Sequence, residues 1–280
     1  MSTKPVVAGT DGSEESLRAV EWAAREAMLR GAALRIVSVA EFLPRMNERH
    51  EATSVDTVTD VLRENRDSAL AVAAQRAAAA APELIIGTDA LHGPIAQAVA
   101  DSGSGAGLLV VGSRGIGGFA AMILGSVSRF VATHATCPVA VVRGDSAEPR
   151  GQVGVGIRNP QTCNDTLAFA FEEAALRKAG LTVVYPRHGD ASAGDGAADG
   201  TEAALASVLA SWRDKYPGVQ VTEDITDDHP GRVLSDLSAH ADLVVIGRRP
   251  VNGGGGHGPG RVTHALLAHA QGPVVTVPSA

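Results

Sequence analysis

Cysteine is nearly absent from this chain, which has only Cys137 and Cys163 in 280 residues. Two thiols cannot form a disulfide framework, and neither stands in a CxxC or Cys/His ligand spacing, so both read as packed thiols. Aromatic residues make up 3%, and Trp22 and Trp212, each inside a helical pattern, read as packing residues rather than a base-stacking pair. No stretch approaches the roughly 18 continuous apolar residues of a membrane-spanning helix, and the first residues lack a basic region followed by an apolar run. The expected location is cytoplasmic. Positive charge does not dominate, because the net charge is −7, and phosphate-rich surfaces would repel the chain at long range. General nucleic-acid and anionic-membrane binding are thereby disfavoured. The nine histidines include no HExxH pair, and the five-residue spacing of His264 and His269 does not place them on one helical face. No G-x-S-x-G elbow or paired-carboxylate signal marks a hydrolytic centre.

What the chain does have is enough length and 45% hydrophobic content for two cored domains, and it repeats itself. Val6 falls on Val153, Gly9 on Gly156, Ala23 on Ala170, Glu26 on Glu173, Leu34 on Leu181 and Val37 on Val184 without a gap. Farther along, Gly107 to Gly115 falls on Asp242 to Pro250, and the closing segment from Cys137 falls on that from Gly272. The interval between these two matched parts is about a dozen residues shorter in the second copy. Residues 1–147 and 148–280 are therefore expected to be separate domains.

Each copy alternates short β-branched apolar runs with helical patterns. In the first, strands are expected at Val6–Ala8, Arg35–Val39, Leu84–Ile86, Leu108–Val111 and Val139–Val142, with the apolar character of strands buried on both faces. Ser13 is a candidate N-cap for a helix to Leu29, followed by Glu14 and Glu15, where carboxylates suit the helix dipole. Asn159-Pro160 reads as the equivalent cap, with proline at the first helical position. An alanine-rich pattern from about Val55 ends at Ala81, before Pro82. The expected fold class is α/β: two doubly wound, Rossmann-like domains, each with a mainly parallel five-stranded sheet. The stretches Asp190 to Gly200 and Gly253 to Gly256 read as loops.

In such a sheet ligands bind beyond the carboxyl ends of the strands. After the fourth strand stand Gly112, Ser113, Arg114 and Gly115, then nine residues, then Gly125-Ser126 and a helical stretch from Val127. The spacing is G-x2-G-x9-G-S. Gly112 and Gly115 are expected to let backbone approach a polyphosphate and to take up positive φ. Gly125 and Ser126 would offer unpaired N–H groups and a hydroxyl at a helix N-terminus. The spacing fits neither G-x-x-x-x-G-K-[ST] nor G-x-G-x-x-G. After the first strand comes Gly9-Thr10-Asp11. The Asp11 carboxylate could accept hydrogen bonds from a ribose or hold a Mg²⁺ that bridges phosphates. It could equally end the strand and start the helix.

This combination of motif, strand-end aspartate and CPV closing strand resembles the universal stress protein family in its ATP-binding subgroup, across nearly the whole chain and in both copies. The resemblance implies that ATP, with Mg, occupies the first domain. Asp11 would contact ribose or metal, Val39 would lie against adenine, and Gly112, Arg114, Gly115, Gly125, Ser126 and Val127 would surround the phosphates and ribose, with Gly9 and Thr10 lining the same pocket. In the second copy Arg158 replaces Asp11, Pro186 replaces Val39, Pro250 replaces Gly115 and Arg261 replaces Ser126, so the same ATP site is not expected there. The resemblance further implies a nucleotide-responsive regulator of stress adaptation, an unidentified protein partner, and homo-oligomers formed through the closing strands. A slow ATPase or nucleotidyl-transfer enzyme and a ligand-free assembly module are the alternatives. No residue is singled out as catalytic, because nothing names a base to activate water.

Overall fold

The computed structural model describes residues 4–41, 52–115, 124–144, 148–187, 201–248 and 260–279. Pro250, His257 and the two expected loops, Asp190 to Gly200 and Gly253 to Gly256, lie outside them. The chain divides into two compact units, Met1–Val142 and Arg143–Ala280.

The first unit contains strands β1 (Val6–Gly9), β2 (Leu34–Ala40), β3 (Ile86–His92), β4 (Leu108–Gly112) and β5 (Val139–Val142). They lie in the order β3-β2-β1-β4-β5, every pair parallel. Helices α1 (Glu14–Arg30), α2 (Ala52–Ala80), α3 (Ile95–Ser102) and α4 (Ser126–His134) connect them. The central strands are apolar on both faces, and Val6, Val7, Leu108, Leu109 and Val139 are fully buried, as a sheet covered by helices requires. The inward stripe of α1 is Leu17, Val20, Ala23, Ala24 and Ala27, and its small side chains bring the helix close to the strand ends. Ser13 caps α1 by accepting from the Ser16 N–H.

The third strand corrects the expectation placed on Leu84–Ile86. Leu84 sits in a turn and donates its N–H to the Ala81 carbonyl, and Ile85 is 76% exposed. The paired residues begin at Ile86 and run on through Thr88 and Asp89. β3 lies at the edge of its unit's sheet, where helices cover the faces less completely, and none of its residues is fully buried, so it lacks the continuous apolar run of the inner strands.

The second unit contains β6 (Gln152–Gly156), β7 (Gly180–Pro186), β8 (Val221–Thr226), β9 (Leu243–Arg248) and β10 (Val274–Pro278), ordered β10-β9-β6-β7-β8 and again parallel. Its helices are α5 (Asn164–Arg177), α6 (Thr201–Lys215), α7 (Pro230–Leu237) and α8 (Arg261–His269). Asn159 does accept from the Gln161 N–H, but the segment it caps, Pro160–Thr162, is a single 3₁₀ turn, and the α-helix starts only at Asn164. Phe171 is fully buried and stacks on Trp212, which also stacks on Tyr216. Trp22 is buried on α1.

Equivalent packing confirms the repeat. A Cβ added to Gly9 would meet Val99 and Val111, and one added to Gly156 would meet Leu234 and Ile246, the matching positions. The buried ion pair Glu26–Arg30 recurs as Glu173–Arg177. The missing dozen residues fall between the second and third strands of each copy, where α2 has 29 residues and α6 has 15.

Candidate functional site

The order β3-β2-β1-β4-β5 puts a topological switch point between β1 and β4, since the chain leaves β1 toward β2 and enters β4 from β3. Crevices open there, beyond the carboxyl ends of the two strands. Three segments meet at this place.

The first is the turn after β1. The Thr10 N–H still pairs with the Val37 carbonyl at 2.9 Å, and the buried Thr10 hydroxyl is 2.9 Å from that of Ser16. Gly12 donates its N–H to Thr10 Oγ1 at 3.1 Å, and Ser13 donates both N–H and hydroxyl to Asp11 Oδ1, at 3.0 and 2.6 Å. Asp11 therefore does hold the strand-to-helix turn. It does so with one oxygen of an exposed carboxylate. Gly12 has φ +83°, a conformation that suits glycine, and a side chain there would press on Ala69 of α2.

The second segment follows β4. Neither Gly112 nor Gly115 adopts positive φ, contrary to the sequence expectation. Close approach to backbone requires Gly112 instead, while Gly115 faces a side chain. A Cβ on Gly112 would lie 2.8 Å from the Glu15 carbonyl oxygen, so this strand end packs against the backbone of α1's first turn. A Cβ on Gly115 would lie 2.3 Å from Asp11 Oδ2. Hence Asp11 presents its second carboxylate oxygen to the glycine loop. Arg114 is exposed and holds Glu15 Oε1 at 3.4 Å, while Arg18 stands 3.8 Å from the same atom.

The third segment is the start of α4. Gly125 is its N-cap, donating its N–H to the Ser113 carbonyl at 2.8 Å, and Ser128 Oγ donates to the Gly112 carbonyl at 2.6 Å. These bonds anchor the helix start to the end of β4. The N–H groups of the first turn, Ser126 and Val127 among them, have no acceptor within the helix, and Ser126 is exposed.

Gly9, Thr10, Asp11, Gly112, Arg114, Gly115, Gly125, Ser126 and Val127 thus stand at the ends of elements that meet at one switch point. Val39 is half-buried, one residue before the end of neighbouring β2. Sequence reasoning did not assign Ser16, Glu15, Ser113 and Ser128 to this place. The serine spacing after Asp11-Gly12 hinted at the first, but Glu15 is brought to Arg114 only by folding. Among the described residues no group of three or more His, Cys, Asp or Glu could hold a metal ion. A cation here would have Asp11 as its protein ligand, with phosphates and water supplying the remaining oxygens.

The corresponding place in the second unit has different chemistry. Ile157 keeps the backbone bond of Thr10, donating its N–H to Val184, but Ile157 and Cys163 replace the paired hydroxyls of Thr10 and Ser16. Cys163 Sγ lies 3.1 Å from the Pro160 carbonyl, and burial pushes its thiol up to about 11. Gly247, matching Gly112, packs against the Thr166 hydroxyl rather than helix backbone.

The sequence pattern of the universal stress protein family matches residues 2–143 and again 150–278. A universal stress protein of Mycobacterium tuberculosis is 32% identical over 297 residues, covering 96% of this chain and 93% of its own length. A second from that organism is 32% identical over 293 residues, covering 98% and 96%. In backbone, a universal stress protein of Archaeoglobus fulgidus superposes with a TM-score of 0.77 over 99% of both chains at 18% identity, a likeness of fold. Among the described residues no helix is long and apolar enough to cross a membrane.

Proposed function

The chain belongs to the universal stress protein family, carrying its domain twice, and from that premise we propose that the first unit binds ATP and acts as a nucleotide-responsive regulator of stress adaptation. The observation that carries the reading is the approach of Asp11 to Gly115 at the switch point, with the N-terminus of α4 bonded to the end of β4. A strand-end carboxylate, a loop bounded by two glycines and helix N–H groups without an acceptor in the helix meet there. In this reading the phosphates lie over Gly112 to Gly115 and accept from the first-turn N–H groups of α4 and from the Ser126 hydroxyl. Arg114 adds charge at the rim. Asp11 Oδ2 accepts from the ribose hydroxyls or holds a Mg²⁺ bridging the phosphates, and Val39 supplies an apolar wall for adenine.

The cytoplasmic location, the protein partner and association through the closing strands β5 and β10 belong to the same reading. Bound nucleotide would act by ordering the glycine loop and so changing the surface that a partner reads.

The test uses Gly115→Pro. Proline removes an N–H and puts ring atoms where Asp11 Oδ2 now lies. The matching position, Pro250, already carries proline. The wild type should unfold at a higher temperature in ATP than without it, because a ligand of the folded state raises apparent stability. The variant should fold and show little or no rise. A folded variant that keeps the full rise would overturn the role given to this loop.

A further inference from the structure

The second unit has not merely lost the residues of the first unit's crevice; at two strand ends and at the start of a helix it carries arginine in their place. Position by position, Asp11 becomes Arg158, Glu14 becomes Gln161, Glu15 becomes Thr162, Ser113 becomes Arg248 and Ser126 becomes Arg261. The changes from Arg18 to Asp165 and from Arg129 to His264 run the other way. The three arginines stand at or just beyond the ends of three elements that bound the switch point of this unit. Gly156 pairs with Ile246, so Arg158 and Arg248, each two residues farther on, leave adjacent strands at the same level. Arg261 is the first residue of α8, as Ser126 is of α4.

Arg248 is half-buried and already engaged within the protein. Arg158 and Arg261 are exposed and, among the described residues, have no hydrogen-bond or ion-pair partner. In the first unit, by contrast, Arg114 and Arg18 share Glu15. The features that would recognise a nucleoside are also replaced. The carboxylate that would accept from ribose hydroxyls has become a donor, the Thr10–Ser16 hydroxyl pair has become Ile157 and Cys163, and proline stands at the place of Val39.

We propose that the crevice beyond β6 and β9 is a second ligand site, one that takes a condensed phosphate, a chain of two or more phosphoryl groups recognised by charge and without a nucleoside. Guanidinium groups pair with phosphate oxygens in a bidentate fork, and arginines spread over three element ends suit an extended polyanion better than a single small anion. The phosphates have two sources, a free inorganic chain or the tail of a nucleotide. The proposal does not depend on ATP binding by the first unit.

The experiment titrates inorganic tripolyphosphate into the full chain by calorimetry at low and at physiological salt. The wild type should bind it, more weakly as salt rises. Arg158→Ala/Arg261→Ala should lose about tenfold or more in affinity, the scale of two charge-assisted contacts. That variant should keep its unfolding temperature, because both side chains are exposed, and Arg158→Lys/Arg261→Lys, which keeps the charge without the fork, should bind between the wild type and the double alanine variant. Gly115→Pro should keep the tripolyphosphate-binding event that the double alanine variant loses. ATP should compete and adenosine should not; a second ATP-binding event that the double alanine variant loses, with no uptake of the inorganic chain, would identify a nucleotide tail as the source and overturn recognition of the phosphates alone. No binding by the wild type, equal binding by the double alanine variant, loss in Gly115→Pro, or displacement by adenosine would each overturn the proposal.

Discussion

Asp11 holds the β1–α1 turn with one carboxylate oxygen and faces Gly115 with the other. Two substitutions separate these roles. Asp11→Asn keeps an oxygen for the Ser13 N–H and should leave stability nearly unchanged, while the lost charge weakens ATP binding. Asp11→Ala should weaken binding too and also cost about 1 kcal/mol of stability, as for one partly exposed hydrogen bond. Denaturant titration and calorimetry on both variants check this, and full ATP affinity in Asp11→Asn would remove the carboxylate from the site. Glu15 acts at the opposite rim. Its pairing with Arg114 competes with any phosphate that Arg114 would meet, so Glu15→Gln should raise ATP affinity by about two- to threefold, the scale of an exposed ion pair. In an Arg114→Ala background the gain should vanish. A gain that persists there would mean that Glu15 acts through something other than Arg114.

Among the elements, α1 does most to position the site, because its first turn supplies the backbone against which Gly112 packs. Its start depends on Ser13, whose hydroxyl lies 3.3 Å from the Ser16 N–H it caps and donates to Asp11. Ser13→Ala should therefore cost about 1 kcal/mol in urea unfolding, the usual worth of an N-cap, and should also lower ATP affinity by loosening Asp11. Unchanged stability would show that the cap is dispensable. In the second unit α5 begins at Asn164, after a separate 3₁₀ turn, and Gly247 meets a side-chain hydroxyl there rather than helix backbone. Alignment alone could not reveal that difference, since residues pair one to one across it. The edge strand β3 was misread for a related reason. Its residues answer to solvent on one side, so the apolar run that identifies an inner strand lies partly outside it.

For the molecule as a whole, the two units share a fold and differ at the residues that would hold a nucleotide. One ATP per chain is therefore expected in a site where adenosine competes. Calorimetry in Mg²⁺ at physiological salt should give a stoichiometry near one for that event, and two equivalent adenosine-sensitive sites would contradict it. The longer α2 of the first unit distinguishes the copies further. It packs on α1 through Arg76, which bridges Glu14 and Glu21, and it lies over the Gly12 turn at Ala69. The helix of 15 residues in the second unit belongs to a crevice whose entrance turn is built differently.

By itself the sequence determined the α/β class, the duplication, most strand positions and the segments that meet at the switch point. These follow from local causes: buried inner strands are continuously apolar, caps and glycines mark where elements end, and a repeated order of elements folds to a repeated sheet. Only the tertiary structure decided why the glycines are there and what the rim does. Gly112 and Gly115 read as flexible positions in the chain, yet their conformations are ordinary; the backbone at Glu15 leaves Gly112 no room for a side chain, and Gly115 faces the carboxylate of Asp11, each about a hundred residues away. The Glu15–Arg114 pair is equally invisible in one dimension, because a close approach between distant segments depends on how strand order and helix packing bring them together, and no residue carries that information locally.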